Sequence, residues 1–459
     1  MAITQDYVSA AGTEGNDYKG ASFTDGAYTS ATKTLTKAGA FAASKVNHWL
    51  YLTDNGSATV TAGYYRITSV AGAPNAVVIH ADCSNDNADV ADVVCTQHAG
   101  TALLPWRSLQ GAFDLCTRNA TDGNQVNLKS GTPHVNAAAL DLATFISGGA
   151  LGASAPLIVR GYTAAANDGG VGEINCGGYT MWVDATADYI IMADLEIHSG
   201  GDNDTVAMDL ACMLFRCEVH EGASTPSATK YLVKLSGNYS NIIGCYIHDT
   251  PARGINTGAY GYVYGNYIAD CDVYGLVASG NGNVVEGNVV KLSAAGAIGL
   301  YGASLGTRLI RNAVYNSAAG TAGGIAFTNT NGLAMNNTVE GFSGAGGKGI
   351  YSTVDGPIYG FNGFYNNTAP YAIIDMTFID LTANDIALAA SPFTDPANGD
   401  FSLTAAGKTA LRGLGWPAAY LGAHASTDGH VTIGPVQYGE AEAGGSGGML
   451  VGNKRGNKE

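Results

Sequence analysis

Short stretches of alternating apolar and polar residues recur through the middle of the chain. They read "LEIH" from Leu195, "CEVH" from Cys217, "CYIH" from Cys245, "NYIA" from Asn266, "NVVK" from Asn288, "NAVY" from Asn312, "NTVE" from Asn337 and "NGFY" from Asn362. Successive starts lie 22, 28, 21, 22, 24, 25 and 25 residues apart. Between them runs a second series, in which Gly254, Gly275, Gly299, Gly324 and Gly349 are each followed by Ile or Leu. Each period therefore carries at least two short strands separated by Gly, Asn and Ser, with no helix-length apolar pattern. A helix-free unit of this length cannot bury its inner face alone, so it predicts one turn of a β-solenoid.

Side chains alternate between faces along a strand, which assigns directions within each unit. The third residue is always apolar (Ile197, Val219, Ile247, Ile268, Val290, Val314, Val339, Phe364) and is predicted to point inward. The first shares its parity, giving Leu195, Cys217 and Cys245, then Asn266, Asn288, Asn312, Asn337 and Asn362. Five stacked Asn predict an internal amide ladder at a bend, each side chain bonding its neighbour and the backbone. The second and fourth positions are predicted to face solvent. They place Glu196, Glu218, Tyr246 and Tyr267 in one column, and His198, His220, His248, Ala269, Lys291, Tyr315, Glu340 and Tyr365 in the next.

Residues 1–104 lack the period and read as a small N-terminal β module for attachment or assembly, with alternating strands around "HWLYLTDNGSATVTAGYYRITSV". A helix follows at "PWRSLQGAFDLC", where Trp106, Leu109, Phe113 and Cys116 have helical spacing and Pro105 opens the first turn. Such a helix would cover the open end of a solenoid spanning 105–390, estimated at about ten coils and roughly 50 Å. Residues 391–437, rich in turn-forming pairs such as Asp395-Pro396 and Asn398-Gly399, are expected to cap the far end. Residues 438–459 form a Gly-rich tail, expected to make an assembly contact.

The 64 glycines and only 13% charged residues fit a turn-rich β protein, and 46% apolar content argues against general disorder. The net charge of −16 disfavours nucleic acid and anionic membranes as partners. No apolar run approaches the roughly 20 residues that span a bilayer, so no membrane insertion is expected. The first residues, "MAITQDYVSAAGTEGNDYKG", show neither a basic nor an apolar signal region, predicting synthesis in the cytoplasm without a signal peptide. The eight cysteines show no zinc-type spacing and are expected as buried thiols, with a bridge between Cys83 and Cys95 as the one alternative.

These residues resemble right-handed parallel β-helix proteins of the pectin-lyase-like superfamily over about 105–435. The resemblance rests on a helix feeding "GNQVNLKSGT", on the "N-x-[VI]" coils, and on the ending "SPFTDPANGDFSLTAAGKTAL…IGPVQ". It implies an all-β solenoid and leaves activity open, because this fold hosts lyases, hydrolases, tailspikes and non-catalytic fibres. The N-terminal module and glycine-rich tail look most like phage-type virion proteins. That resemblance implies a homo-oligomer, a trimer by preference, with other particle or capsid proteins and a surface glycan as partners, in a virion or extracellular particle. The superfamily's hydrolase signatures, adjacent aspartates, Gly-His-Gly and Arg-Ile-Lys, are absent here.

One outward constellation bears chemistry. Glu196 and Glu218 on stacked coils would lie about 5 Å apart, near the separation of a retaining glycosidase pair, with His220 beside them. His198, His220 and His248 would stack and could instead hold a transition metal. Both readings stand against a third, in which outward coil positions simply tolerate polar residues. The oxygen-rich segments Cys83 to Asp92 and Gly201 to Asp209 are candidates for Ca2+, the one cofactor considered, but lack the spacing of a calcium-binding loop and read better as Asx turns. Outward Tyr246, Tyr267, Tyr315 and Tyr365 are expected to pack at an interface or stack on a sugar.

Overall fold

The computed structural model describes residues 121–412 except 132, 137, 143–150, 165–166, 182–187, 222–225 and 374–379. It also describes 4–13, 23–39, 49–54, 63–69, 76–79, 90–96, Leu109, Phe113 and 414–415. The Cys83–Cys95 bridge, Trp106, Cys116, the tail 438–459 and the "IGPVQ" segment lie outside these residues, as does most of the oxygen-rich segment from Cys83. The chain forms two compact units, one of Met1–His134, Asp141–Ala150 and Arg160–Gly172, the other of Val135–Leu140, Leu151–Val159 and Glu173–Glu459.

In the first unit, six strands between Phe23 and Thr96 close a barrel with antiparallel pairing. Its interior holds Tyr28, Leu35, Leu50, Leu52, Ile67, Val77 and Ile79, all buried. Closure leaves no open strand edge, which removes the main aggregation hazard of a small sheet. Thr4–Thr13 does not join this barrel. It runs parallel to Asn124–Lys129, pairing Thr4 with Asn124 and Val8 with Leu128, so the N-terminal module is interrupted at its first strand. Leu109 and Phe113 are helical and buried, at 1% and 0% exposure.

The second unit is a solenoid of stacked parallel strands. Three sheets run along it, represented at one coil by Asn241–Ile243 (sheet I), Tyr246–Thr250 (sheet II) and Arg253–Thr257 (sheet III). Neighbouring coils pair in register, so Ile197, Val219, Ile247, Ile268, Val290, Val314 and Val339 stack inward and are completely buried. The Gly254, Gly275, Gly299, Gly324 and Gly349 series has a steric cause. A Cβ on Gly275 would meet Val290 Cγ1 at 2.5 Å and the Gly299 carbonyl at 2.7 Å. Sheet III passes too close to sheet II's core column for any side chain at that point.

The bend from sheet I to sheet II is equally regular. Asp194, Arg216, Gly244, Gly265, Gly287, Arg311, Asn336 and Phe361 all adopt left-handed backbone, with φ between 52° and 65°. Such a backbone costs an ordinary residue about 1–2 kcal/mol, so the coils with Arg216, Arg311 and Phe361 carry a local strain that the stack holds in place, while Asp and Asn tolerate it. Directly after it, Asn266, Asn288, Asn312, Asn337 and Asn362 form a continuous buried chain. Each Nδ2 donates to the next Oδ1, at 2.8, 3.0, 3.0 and 3.1 Å. Each Oδ1 from Asn288 on also accepts the preceding Asn backbone N–H, at 2.9–3.0 Å. Asp385 ends the ladder, accepting from the Asn362 N–H at 2.7 Å and the Tyr371 hydroxyl at 2.5 Å.

The described part of the expected end cap, residues 391–412, lies against the flank of the solenoid. A hairpin of Phe393–Asp395 and Asp400–Leu403 and a helix of Ala405–Leu411 bring Phe393, Phe401, Leu403 and Leu411 onto Tyr267, Ala269, Val289 and Ala313. Thr404 caps that helix, its hydroxyl accepting from the Gly407 N–H at 2.9 Å. Several outward residues of sheet II are therefore not solvated as their parity predicts. Tyr267, Ala269 and Glu340 are only 5%, 1% and 5% exposed. Phe401 meets Tyr267 and Tyr315 edge-on at 6.1 and 6.2 Å. Ser391 Oγ donates to Glu340 at 2.9 Å.

Candidate functional site

The hairpin covers only the later coils of sheet II. On the earlier coils the outward face remains partly open, and the Glu and His columns occupy it. Glu196 stands opposite Glu218 and His198 opposite His220; on the next coil His220 stands opposite His248. The imidazoles stack with centroids 5.1 and 5.0 Å apart and ring planes within 13° and 19°. Tyr246 lies against His248 at 3.9 Å and over Tyr267 at 5.3 Å.

Contacts between the two columns run diagonally. His198 Nε2 is 3.1 Å from Glu173, His220 Nε2 is 3.4 Å from Glu196, and His248 Nε2 is 3.0 Å from Glu218. Each histidine thus engages the glutamate of the coil before it, and three rungs tie four coils together. Glu173 was not singled out in the sequence, although "GEIN" from Gly172 places Glu in the column of Glu196. All six side chains are partly buried, from 10% exposure at His248 to 36% at Glu196.

The last rung is the most strongly ionic. His248 Nδ1 also meets Asp249 Oδ2, at 2.9 Å. Burial lowers the imidazole's pKa, but hydrogen bonds and charge from Glu218 and Asp249 outweigh it, and the net shift is upward. Burial, with the charges of Asp249, Glu218 and Asp270, pushes the neighbouring Tyr246 phenol to about 12, out of reach of acid–base work at neutral pH. Burial also raises Glu340 to about 7, although Ser391 pulls the other way.

Glu196, Glu218 and His220 lie together on this face, Glu196 in contact with His220 and Glu218 with His248. The metal expectation for His198, His220 and His248 as one ligand set fails on geometry. Parallel rings 5.0–5.1 Å apart cannot converge on one ion, whose nitrogen ligands sit about 3.4 Å from each other. In the Gly201–Asp209 loop two aspartates accept hydrogen bonds from the next coil. Asp202 accepts from the Ser227 N–H, and Asp204 accepts from the Tyr231 N–H and Lys234 Nζ. Cys176, Cys212, Cys217, Cys245 and Cys271 are buried thiols outside any disulfide, and burial raises Cys176 and Cys212 to about 12. Among the described residues, no helix is long and apolar enough to cross a membrane.

Together the three parallel sheets, the inward columns and the Asn ladder define a right-handed parallel β-helix. Among solved structures, the chain is similar to a pectate lyase, Pel9A, at TM-score 0.44 and 12% identity, over 74% of this chain and 94% of that one. It is also similar to the GH136 lacto-N-biosidase from Eubacterium ramulus, at TM-score 0.35 and 11% identity, over 61% and 65%. No family model matches the sequence. No curated protein matches it either.

Proposed function

We propose that this protein is a non-catalytic structural or adhesive β-helix, a decoration, fibre or spike component of a phage-type particle. In this reading the solenoid is the rigid body, made in the cytoplasm and carried outside the cell in the particle. It self-associates, preferentially as a trimer, beside other particle or capsid proteins, and is free to bind a surface glycan. The observation that supports the reading is the diagonal Glu–His pairing. The carboxylates of the open face are engaged by histidines of the same chain, and the coil-to-coil rungs serve rigidity. Its test is mass photometry of the full chain, combined with incubation on bacterial surface polysaccharides. A strict monomer that releases oligosaccharides overturns the proposal.

A second reading is a polysaccharide-degrading tailspike, lyase or glycoside hydrolase. It draws on the register that sets Glu196 opposite Glu218, one strand spacing apart, near the separation retaining enzymes use. If that reading holds, replacing both Glu196 and Glu218 by Gln abolishes depolymerisation. Activity that persists in the double variant removes these residues from the chemistry.

A further inference from the structure

The geometry points to a divalent transition-metal site, suited to zinc, formed by Glu173, Glu196 and His198 at the first Glu–His rung. One ligand atom from each of the three lies within 4.8 Å of the others. Two already sit at coordination spacing. His198 Nε2 and Glu173 Oε1 are 3.1 Å apart, and two ligands about 2.1 Å from one ion are separated by about 3.0–3.4 Å. Only Glu196 must turn inward. It is the most exposed of the six rung residues, and its bond to His220 is the longest of the three rungs at 3.4 Å.

The far side of each imidazole selects His198 over His248. A metal-bound histidine presents an unprotonated nitrogen and donates the proton on its other nitrogen to a neighbouring acceptor. His198 Nδ1 lies 2.8 Å from Ser199 Oγ, a hydroxyl able to accept that proton and leave Nε2 for the ion. His248 has a carboxylate at both nitrogens, Asp249 and Glu218, an arrangement that favours the doubly protonated ring. Two carboxylates and one imidazole make a borderline donor set that fits zinc. Calcium, which takes six to eight oxygens, is poorly served. A bound ion would lock the coil of Glu173 to that of Glu196 and His198, where the Glu–His rungs begin.

Calorimetric titration of the full chain with zinc chloride, after removal of metals by chelation, tests the site. One zinc per chain is expected that is absent in His198→Ala and Glu173→Gln, with Ser199→Ala weaker by roughly 10–100-fold. His248→Gln should retain it, and calcium should not compete. Circular dichroism checks that each variant keeps its coils, and Glu196→Gln, on the most exposed ligand, supplies a loss of binding least open to misfolding. Absence of zinc binding, zinc binding undiminished in folded His198→Ala and Glu196→Gln, or equal displacement by calcium would overturn the assignment.

Discussion

Asn312 lies at the middle of the amide ladder, and its removal gives the sharpest test of what holds the coils in register. The side chain is completely buried. Its Oδ1 accepts from the Asn288 N–H at 2.9 Å and Asn288 Nδ2 at 3.0 Å. Its Nδ2 donates to the Val285 carbonyl and Asn337 Oδ1, both at 3.0 Å. Asn312→Ala deletes all four bonds where water cannot replace them. At about 1 kcal/mol per bond, the loss is about 4 kcal/mol, a large share of a typical domain's stability. The Glu–His rungs are partly exposed, and breaking one with Glu196→Gln should cost within about 1 kcal/mol. Because a solenoid can open a few coils at a time, native-state hydrogen exchange is the assay of choice. Asn312→Ala should strip protection from amides between about Asn266 and Glu340, leaving the coils near Leu195 closer to wild type. A loss below about 0.5 kcal/mol, or one no larger than that of Glu196→Gln, would mean that the amide ladder does not hold the coils in register.

Other consequences follow from the same contacts. His248 has its pKa raised on folding, so its stabilising contribution is complete below about 6.5 and is lost as pH rises through the higher folded value. His248→Gln should therefore lower Tm more near pH 5.5 than near pH 8.5, and an equal or reversed difference contradicts the assignment. Glu340 is raised from 4.5 to about 7, so stability present in acid is lost as pH rises through 7. Glu340→Gln should accordingly stabilise the chain above pH 8 by up to about 3 kcal/mol, with no gain near pH 4 in urea melts. Phe401→Ala empties the contact over Tyr267 and Tyr315 and should cost roughly 3–5 kcal/mol. The loss should appear as faster exchange of hairpin amides between Phe393 and Leu403, and unchanged exchange there would mean the hairpin is held by other contacts.

The coil period, the inward columns and the positions of the stacked Asn were legible because a solenoid repeats its environment, so one parity argument serves every coil. The direction of Glu196, Glu218, His198, His220 and His248 followed from the same alternation. Their partners did not, because pairing runs diagonally between coils and depends on side-chain reach as well as strand register. Glu173 escaped for a simpler reason: its coil was less regular and its fourth residue is Asn175 in place of a histidine. The flank docking of 391–412 leaves only a faint trace in the sequence. Val289, Ala313 and Ala269 are apolar at outward positions, as expected of a face covered by another segment. Asp385, which terminates the ladder, lies beyond the last regular coil, where no periodic signal remained to place it.

In the proposed role, the open Glu–His face braces the coils of a self-associating particle protein and does no glycan chemistry. Mass photometry of the full chain, run beside an assay for new reducing ends on bacterial surface polysaccharide, decides between this role and glycan cleavage. An assembly of three times the mass of one chain and no release of oligosaccharide are expected. A monomer that depolymerises the glycan, and loses that activity in the Glu196→Gln, Glu218→Gln double variant, would contradict that role.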